Sequence, residues 1–157
     1  GGHTYAAGLS LKEENLDAFT QRFLKLAADE IIPEQMTPQI DIDAVLDLQD
    51  INSKFMSELK KMNPFGPDNQ KPVFCSLGVK DYGTSKLVGK DLEHIKLELI
   101  DDKSNTPIHG IAFGMRQHNT HIKNMKPFNI CYTIEENTYN GNTSLQLMVK
   151  DIKENDI

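Results

Sequence analysis

The chain has 157 residues, 38% of them hydrophobic and 7% aromatic, which suits one domain with a modest core, or one domain and part of another. Its formal net charge of −6 and pI near 5.3 speak for a soluble protein and, taken alone, against a nucleic-acid or membrane binder. No apolar run is long enough to cross a membrane, and Cys75 and Cys131 read as buried free thiols of a cytoplasmic protein rather than a disulfide framework or a zinc site.

Gly1-Gly2-His3 opens the chain with residues that can bring backbone N–H groups and an imidazole close to a phosphate. A plain turn or a tag remnant accounts for the same three residues. Ser10 and Glu13 form a capping-box pattern, and Leu16, Phe19, Phe23 and Leu26 follow at helical spacing, which predicts a helix from Leu11 to Glu30. Pro33 and Pro38 punctuate the connector after it. Residues 39–45 alternate apolar and polar like a half-buried strand, with Asp41 and Asp43 on its solvated face. Asp50 reads as an N-cap, with Ile51, Phe55, Leu59 and Met62 on one helical face, and Pro64-Phe65-Gly66-Pro67 stops that helix near Asn63. Phe65 is expected to pin the helix to the domain that follows.

From Pro72 the period becomes two. Val73, Cys75, Leu77 and Val79 predict one strand face, Ile95, Leu97 and Leu99 a second, and Ile111, Phe113 and Met115 a third. A short helix around Ile122 and Met125 comes next. Ile130, Tyr132 and Ile134 define a fourth strand and Leu145, Leu147 and Val149 a fifth, with Asn140-Gly141 as a hairpin turn between them. Three strands, a helical connector and two more strands is the order of an OB-fold, a small Greek-key barrel; a five-stranded sandwich fits the pattern too. The fold class is therefore α+β, mainly β.

The acidity is uneven. Residues 73–130 hold 8 Lys/Arg against 6 Asp/Glu, while the segments on either side are acidic. OB-folds bind single strands with basic grooves and stacking side chains on the face of their second and third strands. Lys90, His94, Lys96 and Arg116 lie on or beside that face and are the DNA-binding candidates, with Tyr82 and Phe74 as bases' stacking partners. Solvated surface lysines and core aromatics explain the same residues. His118 and His121 have a spacing that metal ligands use, but no third ligand is near, and a surface helix is the simpler reading. No metal site is assigned.

The motifs also carry a resemblance. Gly1-Gly2-His3 with Ala6-Ala7-Gly8-Leu9 resembles the closing motif of the DHHA1 domain of DHH-family phosphoesterases. The block from Asn63 to Asn69, followed by Pro72-Val73-Phe74, resembles that of the RecJ family of bacterial single-strand-specific exonucleases, departing at Asp68, where the family usually has glycine. Val88-Gly89-Lys90, His94 to Leu97, Gly110 to Gly114, Tyr132 to Asn137 and the run from Tyr139 to Ile152 fit the same family in the same order.

The resemblance implies the C-terminal part of a 5′–3′ exonuclease of recombination and repair. Residues 1–35 would close the DHHA1 domain, 36–72 form a connecting strand and helix, and 73–157 the OB-fold, which would guide single-stranded DNA. It implies a catalytic-cleft role for His3, with Gly1 and Gly2 beside the substrate phosphate. Mn²⁺ or Mg²⁺ would serve the parent enzyme, held by the N-terminal catalytic domains. No Asp-His-His string occurs here, so no cofactor is expected in this part and it is expected to be inactive alone. The implied partners are single-stranded DNA, single-strand-binding protein and a helicase, with no membrane. The alternative is a docking module that stabilises the catalytic core or recruits a repair partner.

Overall fold

The computed structural model describes residues 1–3, 6–139 and 141–154, and the chain divides into two compact units, Gly1–Ile40 and Asp41–Ile157. In the first, strands β1 (Gly2–His3) and β2 (Ala6–Ala7) pair antiparallel, His3 opposite Ala6. Gly1 and Gly8 clasp the pair: the Gly8 N–H donates to the Gly1 carbonyl at 2.9 Å, and the Gly1 ammonium donates to the Gly8 carbonyl at 3.1 Å. Helix α1 runs Leu16–Glu30. It starts later than the capping box predicts, because Glu13–Asn15 take a tight 3-10 turn and Ser10 is left outside the helix without capping it. Its apolar stripe forms as the spacing requires, with the Phe19 and Phe23 rings stacked at 5.9 Å, and the stripe is exposed.

The second unit holds the core. Strand β3 is Ala44–Val45 only, parallel to β4 (Phe74–Asp81), so most of the expected strand over 39–45 lies outside any strand. Helix α2 (Ser53–Lys60) is capped by Asn52, not Asp50: the Asn52 carboxamide oxygen accepts from the Lys54 and Phe55 N–H groups at 3.1 and 3.0 Å. Asp50 instead closes a 3-10 turn. Ile51 and Leu59 enter the core as their spacing predicts, Phe55 packs against it, and Phe65 packs beside them. The Asn63–Asn69 block folds on itself, with the Asn69 side chain donating to the Met62 and Pro64 carbonyls at 2.8 and 2.9 Å. Asp68 is not among the residues with positive φ, so its backbone demands no glycine.

The remaining strands are β5 (Lys86–Val88), β6 (His94–Ile100), β7 (Ile108–Ala112), β8 (Phe128–Tyr139) and β9 (Asn142–Glu154), with α3 (Asn119–Lys123) between β7 and β8. The sheet order is β3-β4-β8-β9-β7-β6-β5, and β6 pairs back to β4 at Lys80–Ile100 and Asp81–Leu99. β7 and β9 are parallel; the other pairs among β4 to β9 are antiparallel. Beyond the expected strands the sheet gains β5, too short to show a period. Asn140 lies outside the described residues; Gly141 beside it has φ +80°, and the β8–β9 register runs to Tyr139–Asn142.

Ile95, Leu97 and Leu99, then Ile130, Tyr132 and Ile134, then Leu147 and Val149 fill the interior as their alternation predicts. Two strands break the expected pattern. In β4 the register shifts between Ser76 and Val79, where Gly78 takes φ +65°, so Leu77 turns outward at 59% exposure while Phe74 and Ser76 turn inward. Phe74 packs on Phe55 at 5.5 Å and on Tyr132 at 6.4 Å, so it is a core ring and not a stacking surface. In β7 it is Gly110 and Ala112 that face the interior, and Ile111 and Phe113 do not. A Cβ on Gly110 would lie 3.5 Å from the Leu97 Cβ and 3.4 Å from the Leu147 carbonyl oxygen, in van der Waals contact with both neighbours.

Two carboxylates tie loops to this core. Asp81 is buried; its Oδ1 accepts from the Ser85 N–H at 3.1 Å and its Oδ2 lies 3.6 Å from Lys123 Nζ. Burial pushes its carboxyl up, but hydrogen bonds from Ser85 and Gly83 and the Lys123 charge together hold it below the ordinary value. Asp101 accepts backbone N–H groups of Leu48, Lys103 and Ser104, which likewise outweigh its burial and lower it. A carboxylate lowered in the folded state adds stability that is complete above its unfolded pKa, about 4, and is lost as pH falls through the native value. Urea midpoints should therefore fall between about pH 5 and pH 3, and fall less in Asp81→Asn; an equal fall in the variant contradicts the assignment.

Candidate functional site

The outward face of β6 and β7 carries two of the candidate residues, His94 and Lys96. Alternation along β6 sends Ile95, Leu97 and Leu99 inward and leaves His94, Lys96 and Glu98 outward. Lys96 stands opposite Lys86 of β5 on one side and Ile111 of β7 on the other. Like charges directly opposite each other destabilise a sheet, so this lysine doublet favours an anion laid on the face. Among the described residues, Lys86, Lys90, Lys96 and Arg116 make no ion pair, whereas Lys60, Lys61, Lys71, Lys80, Lys103 and Lys123 each face a carboxylate.

At the end of the face where β6 begins, the Gly114 N–H donates to His94 Nδ1 at 3.0 Å. The ring proton therefore sits on Nε2, which lies 3.2 Å from Glu93 Oε1. The imidazole is also edge-on to Phe113, with ring centroids 4.8 Å apart. His94 thus holds Phe113 and the 114 turn in place. Phe113, 55% exposed, offers a ring to solvent on a basic face. Lys90, in the turn between β5 and β6, and Arg116, just after β7, are exposed in the segments next to this end.

Tyr82 follows β4 directly; its N–H donates to the Glu98 carbonyl at 2.8 Å, and its side chain is 51% exposed. Glu98, the acidic residue of the face, is engaged by the Thr84 hydroxyl and lies 3.6 Å from His109 Nδ1. A small polar groove of about 170 Å³, lined by Lys96, His109, Asn137, Ser144 and Gln146, continues off the face. His109 and Ser144 also line a larger groove of about 470 Å³ along Asn52, Asn105 and Thr106.

Two aspects of this arrangement were not legible in the residue pattern. Phe113 falls at an apolar alternating position, which assigns it to the core; the signal that separates it is the pair of small residues, Gly110 and Ala112, at the interleaved positions. Lys86 belongs to a strand of three residues.

His3, with Gly1 and Gly2, belongs to the β1–β2 pair of the first unit, where all three residues are exposed. A Cβ on Gly2 would lie 3.1 Å from the Ala7 Cβ, so the tight pairing favours glycine there. His118 and His121 both turn to one carboxylate: His118 Nδ1 lies 2.8 Å from Glu154 Oε1 and His121 Nδ1 lies 3.2 Å from Glu154 Oε2. They fasten α3 to the end of β9. Among the described residues no cluster of three or more His, Cys, Asp or Glu side chains is arranged to hold a metal ion. No helix among them is long and apolar enough to cross a membrane.

Residues 42–151 match the sequence profile of the RecJ OB domain. The chain belongs to the RecJ family. Curated RecJ proteins named single-stranded-DNA-specific exonucleases are similar over nearly all of it. The RecJ of Haemophilus influenzae is 28% identical over 153 residues, covering 98% of this chain and 26% of that protein. The RecJ of Bacillus subtilis is 28% identical over 152 residues, covering 96% of this chain and 19% of its own length. This chain therefore spans about a quarter or less of these RecJ relatives. The crystal structure of Thermus thermophilus RecJ in complex with Mn²⁺ has the same fold over 100% of this chain and 22% of that one, with a TM-score of 0.76 at 20% identity. The Mg²⁺ complex of RecJ from the same organism gives 0.75 at 19% identity.

Proposed function

We propose that this chain is the DNA-guiding part of a RecJ-type single-stranded-DNA-specific 5′–3′ exonuclease acting in recombination and repair, and that the single strand lies across the outward face of β6 and β7. The exposed Phe113 ring, against His94 of the strand that carries the unpaired Lys96 opposite Lys86, carries this reading. A base stacks on Phe113, whose orientation His94 fixes; phosphates approach the lysine doublet; the backbone continues into the polar groove past His109 and Ser144. Arg116 and Tyr82 extend the surface at its margins. His3 and its two glycines form part of the wall beside the scissile phosphate in the parent enzyme. The phosphodiester hydrolysis, and the Mn²⁺ or Mg²⁺ that supplies its Lewis acid, belong to residues outside this chain.

Fluorescence anisotropy with labelled oligo-dT at low salt tests the assignment. The wild-type chain should bind weakly and with a steep salt dependence. In Lys90→Ala/Lys96→Ala the slope of log K against log salt should fall by about 1.4, since each phosphate neutralised on a single strand contributes about 0.7. Equal binding by both proteins, or none by either, removes the direct DNA role of this face and favours a docking module, the reading that a net charge of −6 supports.

A further inference from the structure

The two cysteines are far apart in sequence and adjacent in the sheet: Cys75 of β4 stands directly opposite Cys131 of β8. The backbone fixes what kind of pair this is. The Val73 carbonyl accepts from the Asp43 N–H and the Cys75 carbonyl from the Leu46 N–H, each at 2.8 Å. Residues 73 and 75 therefore aim their backbone groups at β3 and away from β8. Cys75 and Cys131 form a non-hydrogen-bonded antiparallel pair, the closer of the two kinds, with Cα atoms about 4.5 Å apart and side chains on the same face. That spacing lies within the range of about 4.4–6.8 Å that disulfides span.

Both sulfurs are reduced thiols and both side chains are buried, on the opposite face from the Phe74 and Tyr132 rings that fill the core. Burial raises both thiols above their ordinary value, so the resting pair is protected. The neighbour of Cys75 on the other side is β3, a strand of two residues whose Val45 is exposed. Opening of so short an edge needs few bonds broken and gives a small oxidant access.

We propose that Cys75 and Cys131 are a reversible redox pair that closes into a cross-strand disulfide under hydrogen peroxide and staples β4 to β8. One sulfur, as thiolate, attacks a peroxide oxygen; the O–O bond breaks, leaving a sulfenic acid and a hydroxide that takes up the thiol's proton as water. The second sulfur then displaces the sulfenic oxygen, which leaves as water with the second thiol proton. Two thiols and one peroxide become one disulfide and two waters: sulfur loses two electrons and the peroxide oxygens gain them. A dithiol reductant reverses the change.

The chain is treated with hydrogen peroxide under native conditions, alkylated in denaturant and read by intact mass and peptide mapping. The expected product is a monomer lighter by two hydrogen atoms, closed to alkylation at both cysteines, yielding a Cys75–Cys131 linked peptide and restored by dithiothreitol. Cys75→Ser and Cys131→Ser should each fail to give this species. Two alkylated thiols after a peroxide dose that oxidises the urea-unfolded chain would overturn the proposal. So would disulfides formed only between separate chains.

Discussion

Leu97→Ala should lower stability by about 3 kcal/mol, within the range of about 2–5 kcal/mol for such core truncations. Leu97 is fully buried at the middle of β6, facing Gly110 of β7, which carries no side chain to lean into the space left behind. The neighbours that could close the gap, Leu147 and the interior residues of β8, sit on strands already fixed by long antiparallel pairing. A cavity that cannot collapse keeps its full cost, so the variant should fall well inside that range and not at its foot. Urea denaturation should show a lower midpoint with an unchanged slope. A loss under about 1 kcal/mol would mean that the interior relaxes around the deletion and that Gly110 does not define its packing.

Phe113→Ala should do the reverse. The ring lies on the outer face of the same sheet, so its removal should change stability by no more than about 0.5 kcal/mol. Oligo-dT affinity should instead fall about tenfold, since stacking one base on an aromatic ring contributes about 1–3 kcal/mol. The contrast with the lysine variant is diagnostic: losing a stacking ring should weaken binding at every salt concentration with little change in salt slope, whereas losing lysines changes the slope. Phe113→Tyr should retain most of the affinity. A Phe113→Ala chain that binds like wild type, or that unfolds, contradicts the assignment.

The two substitutions also mark where the sequence could and could not be read. Strands whose large residues face inward were legible because alternation and burial coincide: Ile95, Leu97 and Leu99 on β6, and Ile130, Tyr132 and Ile134 on β8. On β7 the two separate, because the positions that face the interior carry the small residues Gly110 and Ala112. The hydrophobic pattern consequently points to the wrong face, and the exposed ring is hidden among apparent core residues. On β4 one bulge at Leu77–Gly78 inverts the faces, which no period anticipates. The polar part of the face was more accessible to sequence reasoning, since Lys96 and His94 interleave with unmistakable core positions. What His94 does was not, because its role follows from Gly114 and Phe113, twenty residues away.

The location of the single strand is the centre of this account, and one measurement addresses it residue by residue. Oligo-dT is titrated at low salt into the ¹⁵N-labelled chain while amide resonances are followed by NMR. The largest shifts are expected at Lys96, Ile111, Phe113 and Gly114, with smaller ones at Lys86 and Lys90, all fading as salt is raised. Shifts confined to α1 or to the β8–β9 hairpin, or no shifts at all, would contradict the placement of DNA on the β6–β7 face.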